Sequence, residues 1–238
     1  DLVQVGMYVS AVVIARSLIK AGARPSLMLG HSAGEIPALA LAGAFEDHVG
    51  VEIVCHRALA LKEAKLPPGG MVALMTSEER ARATLLAASL GDLDVAVLNH
   101  PLQSVVAGPR ESLGRLLDLA PKLGLGARLL DSPYPFHTQA LSSAVAPFHQ
   151  RIQTLAIGAP QAPPYSPIEG RYLTLGDDIP ALLASHFTRP LDFVSAIKAV
   201  ATLKPTEIIE CGPPLLSRII PKILGASQSI PLRTHPIF

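Results

Sequence analysis

The chain has 238 residues, enough for a full α/β core, and its formal net charge is +1. Hydrophobic residues make up 49% of it and charged residues 16%, so it lacks the basic field that attracts nucleic acid. Gln4, Ser10 and Arg16 interrupt the apolar N-terminal stretch, which favours a buried amphipathic helix over a signal peptide or membrane anchor. Cys55 and Cys211 are far apart and lack metal-type spacing, which is typical of a reducing cytosol. We therefore expect a cytoplasmic protein that binds no metal, nucleic acid or membrane.

Helix and strand signals alternate through the first 65 residues. Periodic apolar positions predict helices over 2–21 and 47–65 and a third that ends at 42, and the apolar run 27–29 predicts a buried strand. This alternation predicts a parallel sheet covered by helices.

A different order of elements follows the proline- and glycine-rich segment 67–70. The pattern predicts strands over 71–75, 93–98, 103–107 and 127–130, and helices over 77–89 and 109–123. This β-α-β-β-α-β order is the signature of a ferredoxin-like unit, whose neighbouring ends allow its insertion into a host domain. We therefore predict an α/β fold in which a parallel-sheet, α/β-hydrolase-like core of residues 1–68 and 131–238 carries an inserted ferredoxin-like small subdomain, 69–130.

The rest of the core is predicted to be mainly helical. An irregular, proline-rich loop spans 158–170. The predicted helices are 138–154, 179–187, 193–203 and 214–224, and the predicted strands are 207–210 and 229–232.

Residues 30–35 read Gly-His-Ser-Ala-Gly-Glu between the predicted strand and an apolar helix. A strand that turns sharply through two glycines into a helix places the serine, Ser32, on a strained corner with its hydroxyl exposed, as in a nucleophile elbow. The helix start also leaves the Ala33 N–H free to face a tetrahedral oxyanion. The alternative is a tight turn whose glycines serve packing alone.

A serine needs a base that accepts its proton, and the chain has eight histidines. His137 is our candidate because it follows the stiff prolyl and aromatic segment 133–136, where the inserted subdomain returns to the core. A surface helix-cap histidine is the alternative. His31 is expected to point to the other side of the turn, and the remaining histidines lack metal-type spacing. Arg57 could clamp a carboxylate with two parallel hydrogen bonds, or could simply be a solvated helix residue.

The chain resembles the malonyl-CoA:acyl carrier protein transacylases and the acyltransferase domains of polyketide and fatty acid synthases. The resemblance starts at the box 30–35, which is similar to the family's G-H-S-x-G-E, and continues in the family's order over most of the chain. It includes Arg57, 25 positions after Ser32; the strand 70–73; Asn99, Pro101, Val105 and Gly108; 134–137; Arg189, Pro190 and Phe193; and Glu210, Gly212, Pro213 and Leu215.

The resemblance implies ping-pong transfer of an acyl group from a CoA thioester to the phosphopantetheine thiol of an acyl carrier protein, with no permanently bound cofactor. Ser32 and His137 would be catalytic, with Ala33 at the oxyanion. The implied substrate-binding residues are Arg57, His31, Phe136, Tyr134, Met71 and Asn99. A backbone carbonyl near Asp192 would orient the histidine, and the Asp192 side chain is a further candidate for that role. The implied partners are malonyl-CoA, the carrier protein and neighbouring synthase domains.

The residues before His137 bear on the choice of acyl group. Phe136 resembles the bulky residue that the family associates with unsubstituted malonyl, Tyr134 is more usual in the methylmalonyl form, and Pro135 belongs to neither. We therefore favour malonyl over methylmalonyl. One methyl group is worth only about 1–3 kcal/mol in a pocket.

One part of the family pattern does not occur in this sequence, namely the preceding strand and the G-Q-G-S-Q turn that supplies a second oxyanion donor. We expect these to belong to a longer polypeptide, because the remainder keeps the catalytic set. Three other functions stay open: an α/β-hydrolase esterase or thioesterase with His235 as base, an editing hydrolase on the transacylase fold, and a noncatalytic docking domain. Arg57 favours transfer of a dicarboxylic acyl group.

Overall fold

The computed structural model describes residues 2–162, 164–225 and 230–235. The helices are α1 Leu2–Lys20, α2 Glu35–Leu41, α3 Asp47–Glu63, α4 Glu78–Ala87, α5 Arg110–Leu119, α6 Ser142–Ile152, α7 Ile179–Ser185, α8 Phe193–Ala201 and α9 Leu216–Leu224. The strands are β1 Gly69–Leu74, β2 Asp94–His100, β3 Gln103–Pro109, β4 Ala127–Leu129, β5 Tyr165–Ser166, β6 Arg171–Tyr172, β7 Leu191–Asp192, β8 Ile208–Cys211 and β9 Leu232–His235. Short 3-10 turns cover Ser32–Gly34, Ala120–Leu123 and Gln139–Leu141.

The largest sheet in the described residues has the strand order β4-β1-β3-β2-β7. Its first four strands are antiparallel and have the ferredoxin-like arrangement that the sequence predicts. The fifth, β7, runs parallel to β2 and comes from the core, with Leu98 opposite Asp192. This pairing attaches the small subdomain to the segment that follows α7. The boundaries 69–130 remain a prediction.

Strand β1 is buried along its whole length because both faces of this sheet are covered. Val72 and Leu74 pack under α4 and α5 with Val106 and Leu116. Met71, on the opposite face, joins the main core. The small subdomain therefore has its own core and also covers one side of the larger one.

Helices surround the main core, which contains Leu39, Ile53, Phe148 and Phe187. Helices α1 and α3 approach closely at Gly50, where an added Cβ would lie 1.9 Å from Tyr8 Oη. Tyr8 Oη donates a 2.9 Å hydrogen bond to the Asp47 carbonyl. Glycine is needed there for the phenol to reach the start of α3.

The predicted strand 27–29 is present only as a single bridge. Leu29 pairs in parallel with Tyr165, whose N–H donates to the Met28 carbonyl. Its partner, β5, lies in the segment 158–170 that we predicted to be irregular, so that part of the loop prediction is wrong. A two-residue strand in a proline-rich segment gives no strand pattern in the sequence. The last strand covers 232–235 instead of 229–232, and Ser229 lies outside the described residues.

Helix α1 is buried only on the side that faces α2 and α3. Tyr8, Val12 and Ala15 are buried, whereas Val3 is 73% exposed and Val13 56%, so the prediction of a buried amphipathic helix holds for one side alone. By length and composition, residues 3–20 could cross a bilayer. Core helices and signal sequences pass the same test, so this is weak evidence of a membrane segment. Arg16 on α1 forms a 2.8 Å ion pair with Asp47.

Candidate active site

The predicted sharp corner is present at Ser32. The residue has a φ of +54°, a conformation that non-glycine residues adopt at a cost, and the turn Ser32–Gly34 leads directly into α2. A Cβ on Gly30 would lie 2.2 Å from the Glu35 nitrogen and the Gly34 oxygen, so only glycine fits. Gly34 has open space where its Cβ would be, so packing does not require this second glycine. The corner depends on Gly30.

Ser32 and His137 meet although they are 105 positions apart in the chain. The distance from Ser32 Oγ to His137 Nε2 is 2.8 Å, and that from His137 Nδ1 to the Arg189 carbonyl is 3.0 Å. A carbonyl oxygen can only accept, so Nδ1 carries the proton and Nε2 is free to accept one from the hydroxyl. The imidazole therefore has the tautomer that a general base needs.

Burial keeps the His137 imidazole neutral. The side chain is 2% exposed, and this desolvation, followed by electrostatic interaction with His186, Arg57 and His31, lowers its pKa to about 3. The hydrogen bond to the Arg189 carbonyl acts in the opposite direction. Near neutral pH His137 is thus able to accept a proton.

The backbone that holds the histidine is the segment between α7 and β7, which we name loop 186–190. Its Phe187 carbonyl accepts from the Thr138 N–H at 3.2 Å, and its Arg189 carbonyl accepts from His137. Asp192 has a different role from the one considered above. Its side chain caps α8 by accepting from the Ser195 N–H at 2.9 Å, so we correct the histidine-orienting group to the Arg189 carbonyl.

Arg57, on α3, is buried with 3% of its surface exposed. Its guanidinium carbon lies 4.4 Å from the ring centre of Phe136 and 5.2 Å from that of Phe187, and Nη1 donates to Gln4 Oε1 on α1. Nε is buried without a partner among the described residues, and no carboxylate there is paired with this arginine. Burial lowers its pKa to about 10, so it remains charged near neutral pH. A solvated helix arginine does not fit this environment.

The other implied substrate-binding residues lie in two places. Tyr134 packs edge-on against Phe136 with ring centres 5.8 Å apart, beside Arg57. His31 Nε2 forms a 2.8 Å hydrogen bond with Asn99 Oδ1, which links the elbow to the small subdomain. Met71 is buried in the main core. The substrate contacts of these residues remain predictions.

Sequence reasoning missed three residues at this site. Gln4 was considered only as a polar interruption of α1. Glu35 was part of the box but received no role, and His186 was set aside for lack of a paired spacing. Glu35 Oε2 and His186 Nε2 are 3.1 Å apart and both side chains are buried. A charged residue at the head of an apolar helix run was the available signal for Glu35.

His235, the base in the esterase alternative, lies on β9 opposite Cys211, whereas the Ser32 hydroxyl is bonded to His137. The geometry does not support that alternative.

The family model described as "Acyl transferase domain" matches residues 1–228. The chain belongs to this family. It is similar to the non-reducing polyketide synthase VdtA of Byssochlamys spectabilis, with 30% identity over 90% of the chain and 10% of VdtA. It is also similar to the polyketide biosynthesis protein ThaF of Burkholderia thailandensis, with 33% identity over 94% of the chain and 20% of ThaF. The acyltransferase chain thus spans about a tenth to a fifth of the length of these relatives.

Solved structures agree with this assignment. The malonyl CoA-acyl carrier protein transacylase of Clostridium perfringens superposes with a TM-score of 0.88 at 26% identity, covering 98% of this chain and 74% of that one. The acyltransferase domain from the second module of the salinomycin polyketide synthase gives a TM-score of 0.85 at 26% identity, with coverages of 99% and 55%. The predicted fold class and the predicted family are confirmed, and the fold is that of the transacylases and of the acyltransferase domains of polyketide synthases.

Proposed function

We propose that this acyltransferase moves a malonyl group, or a related dicarboxylic acyl group, from CoA to the phosphopantetheine thiol of an acyl carrier protein. The observation that carries the proposal is Arg57, a buried guanidinium without a carboxylate partner among the described residues, on the Phe136 ring next to the Ser32–His137 pair. A buried charge is costly unless it is paired. The free carboxylate of a malonyl group supplies that pair.

The first half-reaction forms an acyl-serine. His137 Nε2 accepts the hydroxyl proton as Ser32 Oγ attacks the thioester carbonyl, and the Ala33 N–H donates to the resulting oxyanion. The carbon–sulfur bond then breaks, His137 returns its proton to the CoA sulfur, and CoA leaves as a thiol.

The second half-reaction reverses the roles. His137 takes the proton of the phosphopantetheine thiol, the thiolate sulfur attacks the acyl-serine carbonyl, and the bond to Ser32 Oγ breaks as His137 reprotonates that oxygen. The acyl group leaves as a thioester of the carrier protein. No metal or prosthetic group takes part in these steps.

Selection of the acyl group rests on Arg57 and its neighbours. The guanidinium can donate two parallel hydrogen bonds to one carboxylate, while the Phe136 face orients its plane. The Phe136 ring also fills the space that an α-methyl group would need, which favours malonyl over methylmalonyl. Tyr134 packs against that ring and limits its movement.

We also propose a location and partners for this protein. We infer a cytoplasmic location, in agreement with the cysteine-poor composition, and we infer a carrier protein and neighbouring synthase domains as partners. The similarity to a tenth of the length of a polyketide synthase supports these partners.

The test is intact-mass analysis after incubation with malonyl-CoA or acetyl-CoA. We expect a malonyl adduct that Ser32→Ala abolishes. Arg57→Ala should slow malonyl labelling about 10-fold to 100-fold, the equivalent of losing a charge-assisted bidentate pair, and should spare acetyl labelling. Arg57→Lys is the matched control, because it keeps the charge without the planar fork.

Two results would contradict the proposal. Equal labelling by malonyl-CoA and acetyl-CoA removes the role of Arg57, and labelling that survives in Ser32→Ala removes the acyl-serine. Addition of holo carrier protein then separates the two reactions of the acyl-enzyme: transfer moves the adduct to the carrier, whereas an editing hydrolase releases free malonate.

A further inference from the structure

We propose that Glu35 and His186 form a buried positioning pair that fixes loop 186–190 against the elbow and so holds His137 at hydrogen-bond distance from Ser32. Glu35 Oε2 lies 3.1 Å from His186 Nε2, and the two side chains are 1% and 2% exposed. This inference rests on the function proposed above and adds residues to it.

Burial of this pair costs desolvation free energy. Neither Glu35 oxygen has a hydrogen bond among the described residues, and His186 Nε2 has none, so the two groups face each other with little other compensation. Replacing such a pair by apolar residues is often neutral or stabilising for a fold. A pair kept at this cost is therefore better explained by positioning than by stability.

The pair joins the turn that carries Ser32 to the loop that orients His137. Glu35 is the first residue of α2, and its N–H closes the turn that contains Ser32 by donating to the Ser32 and Ala33 carbonyls. His186 begins loop 186–190, whose Arg189 carbonyl holds His137 Nδ1. One contact thus connects the nucleophile's turn to the loop that orients the base.

The pair also acts on the charge of His137. His186, Arg57 and His31 are the charged groups that face His137, and His186 contributes most among the three. Glu35 and His137 are in turn the titratable groups identified next to His186. Replacing His186 by a neutral side chain therefore removes the largest of these three contributions and raises the pKa of His137.

The experiment compares Glu35→Gln, His186→Gln and the double variant. In single-turnover acylation by malonyl-CoA, we expect each single change to lower the rate constant about 10-fold to 100-fold, as for a small misplacement of a reacting group, with little change in KM. The double variant should be no slower than the slower single variant, because both changes remove one contact. Glu35→Asp, which keeps the carboxylate, should recover part of the rate.

Two readouts separate positioning from general stability. The acidic limb of the pH–rate profile should move to higher pH in His186→Gln, because that change removes the largest electrostatic contribution that lowers the pKa of His137. Glu210→Gln is the matched control, since Glu210 is another buried carboxylate but caps α9 by accepting from the N–H groups of Leu215, Leu216 and Ser217. That variant should lower the melting temperature without moving the limb.

The ¹⁵N chemical shifts of the histidine rings report their tautomers, so NMR tests the pair without any acyl donor. We expect the fixed Nδ1–H tautomer of His137 in the unmodified chain and tautomer exchange in Glu35→Gln. An unchanged tautomer together with a limb that does not move overturns the positioning pair. Absence of acylation by the unmodified chain overturns the proposed function, and the NMR result still decides the pair.

Discussion

The small subdomain and the active site are built differently. In the subdomain, the strands come from neighbouring stretches of chain and the buried core is apolar. At the active site, segments as far apart as Ser32 and His137 meet around buried ionisable groups. Among the described residues of the subdomain, Ser104 Oγ donates to the Thr76 carbonyl, and one buried side-chain nitrogen, His100 Nε2, has no partner. At the site, Arg57 Nε and both Glu35 oxygens are buried without one among the described residues. Buried polar atoms without a partner are therefore more numerous at the site than in the subdomain. Such atoms are expected where a fold serves a function.

The largest effect is expected from Gly30→Ala, which places a side chain against the backbone of the elbow. The added Cβ would lie 2.2 Å from backbone atoms of Gly34 and Glu35, so the elbow must open or the chain must unfold. We expect a loss of more than about 4 kcal/mol in the free energy of unfolding, measured by urea titration.

Gly34→Ala is the control for this change, because the space around Gly34 is open and its φ is helical. It should change the free energy of unfolding by less than about 1 kcal/mol. Equal destabilisation by the two variants would show that the corner does not depend on close packing at Gly30.

A smaller effect is expected in the small subdomain from Leu116→Ala. Leu116 is fully buried in the subdomain core, so its truncation should cost about 2–5 kcal/mol of unfolding free energy. At a temperature where the variant remains folded, we expect the acylation rate constant to be unchanged. Leu86→Ala, at an exposed position, should leave both quantities unchanged. If the acylation rate constant falls in proportion to the unfolding free energy, the subdomain core and the active site are not separable in this way.

The sequence predicted the small subdomain best. Its strands and helices are all present, and their ends lie close to the predicted ones, because period-two and helical patterns with turn residues between them act locally. The order of the strands in the sheet also followed from the order of elements along the chain.

At the site, the sequence predicted the sharp corner at Ser32 and proposed as base the histidine that contacts it, but it did not predict what surrounds these two residues. The contact of Gln4 with Arg57 and the pair Glu35–His186 join distant segments, and no periodic signal marks them. The single bridge between Leu29 and Tyr165 is similarly too short for a pattern. Motifs identify candidate reacting residues, whereas the groups that position them depend on three-dimensional packing.

The smallest expected effect comes from Phe136→Leu, which tests how the site tolerates a buried cation. The Arg57 guanidinium lies over the Phe136 ring, and a cation–π contact of about 0.5–2 kcal/mol corresponds to a rise of about 2-fold to 30-fold in KM for malonyl-CoA with little change in kcat. Tyr134→Leu is the control, because Tyr134 packs on Phe136 and not on the guanidinium, and it should change KM less than about 2-fold. Steady-state transfer to holo carrier protein measures both variants. If Phe136→Leu admits methylmalonyl-CoA while KM for malonyl-CoA stays constant, the ring acts by its size alone, and Arg57 is oriented by Phe187 and Gln4 instead.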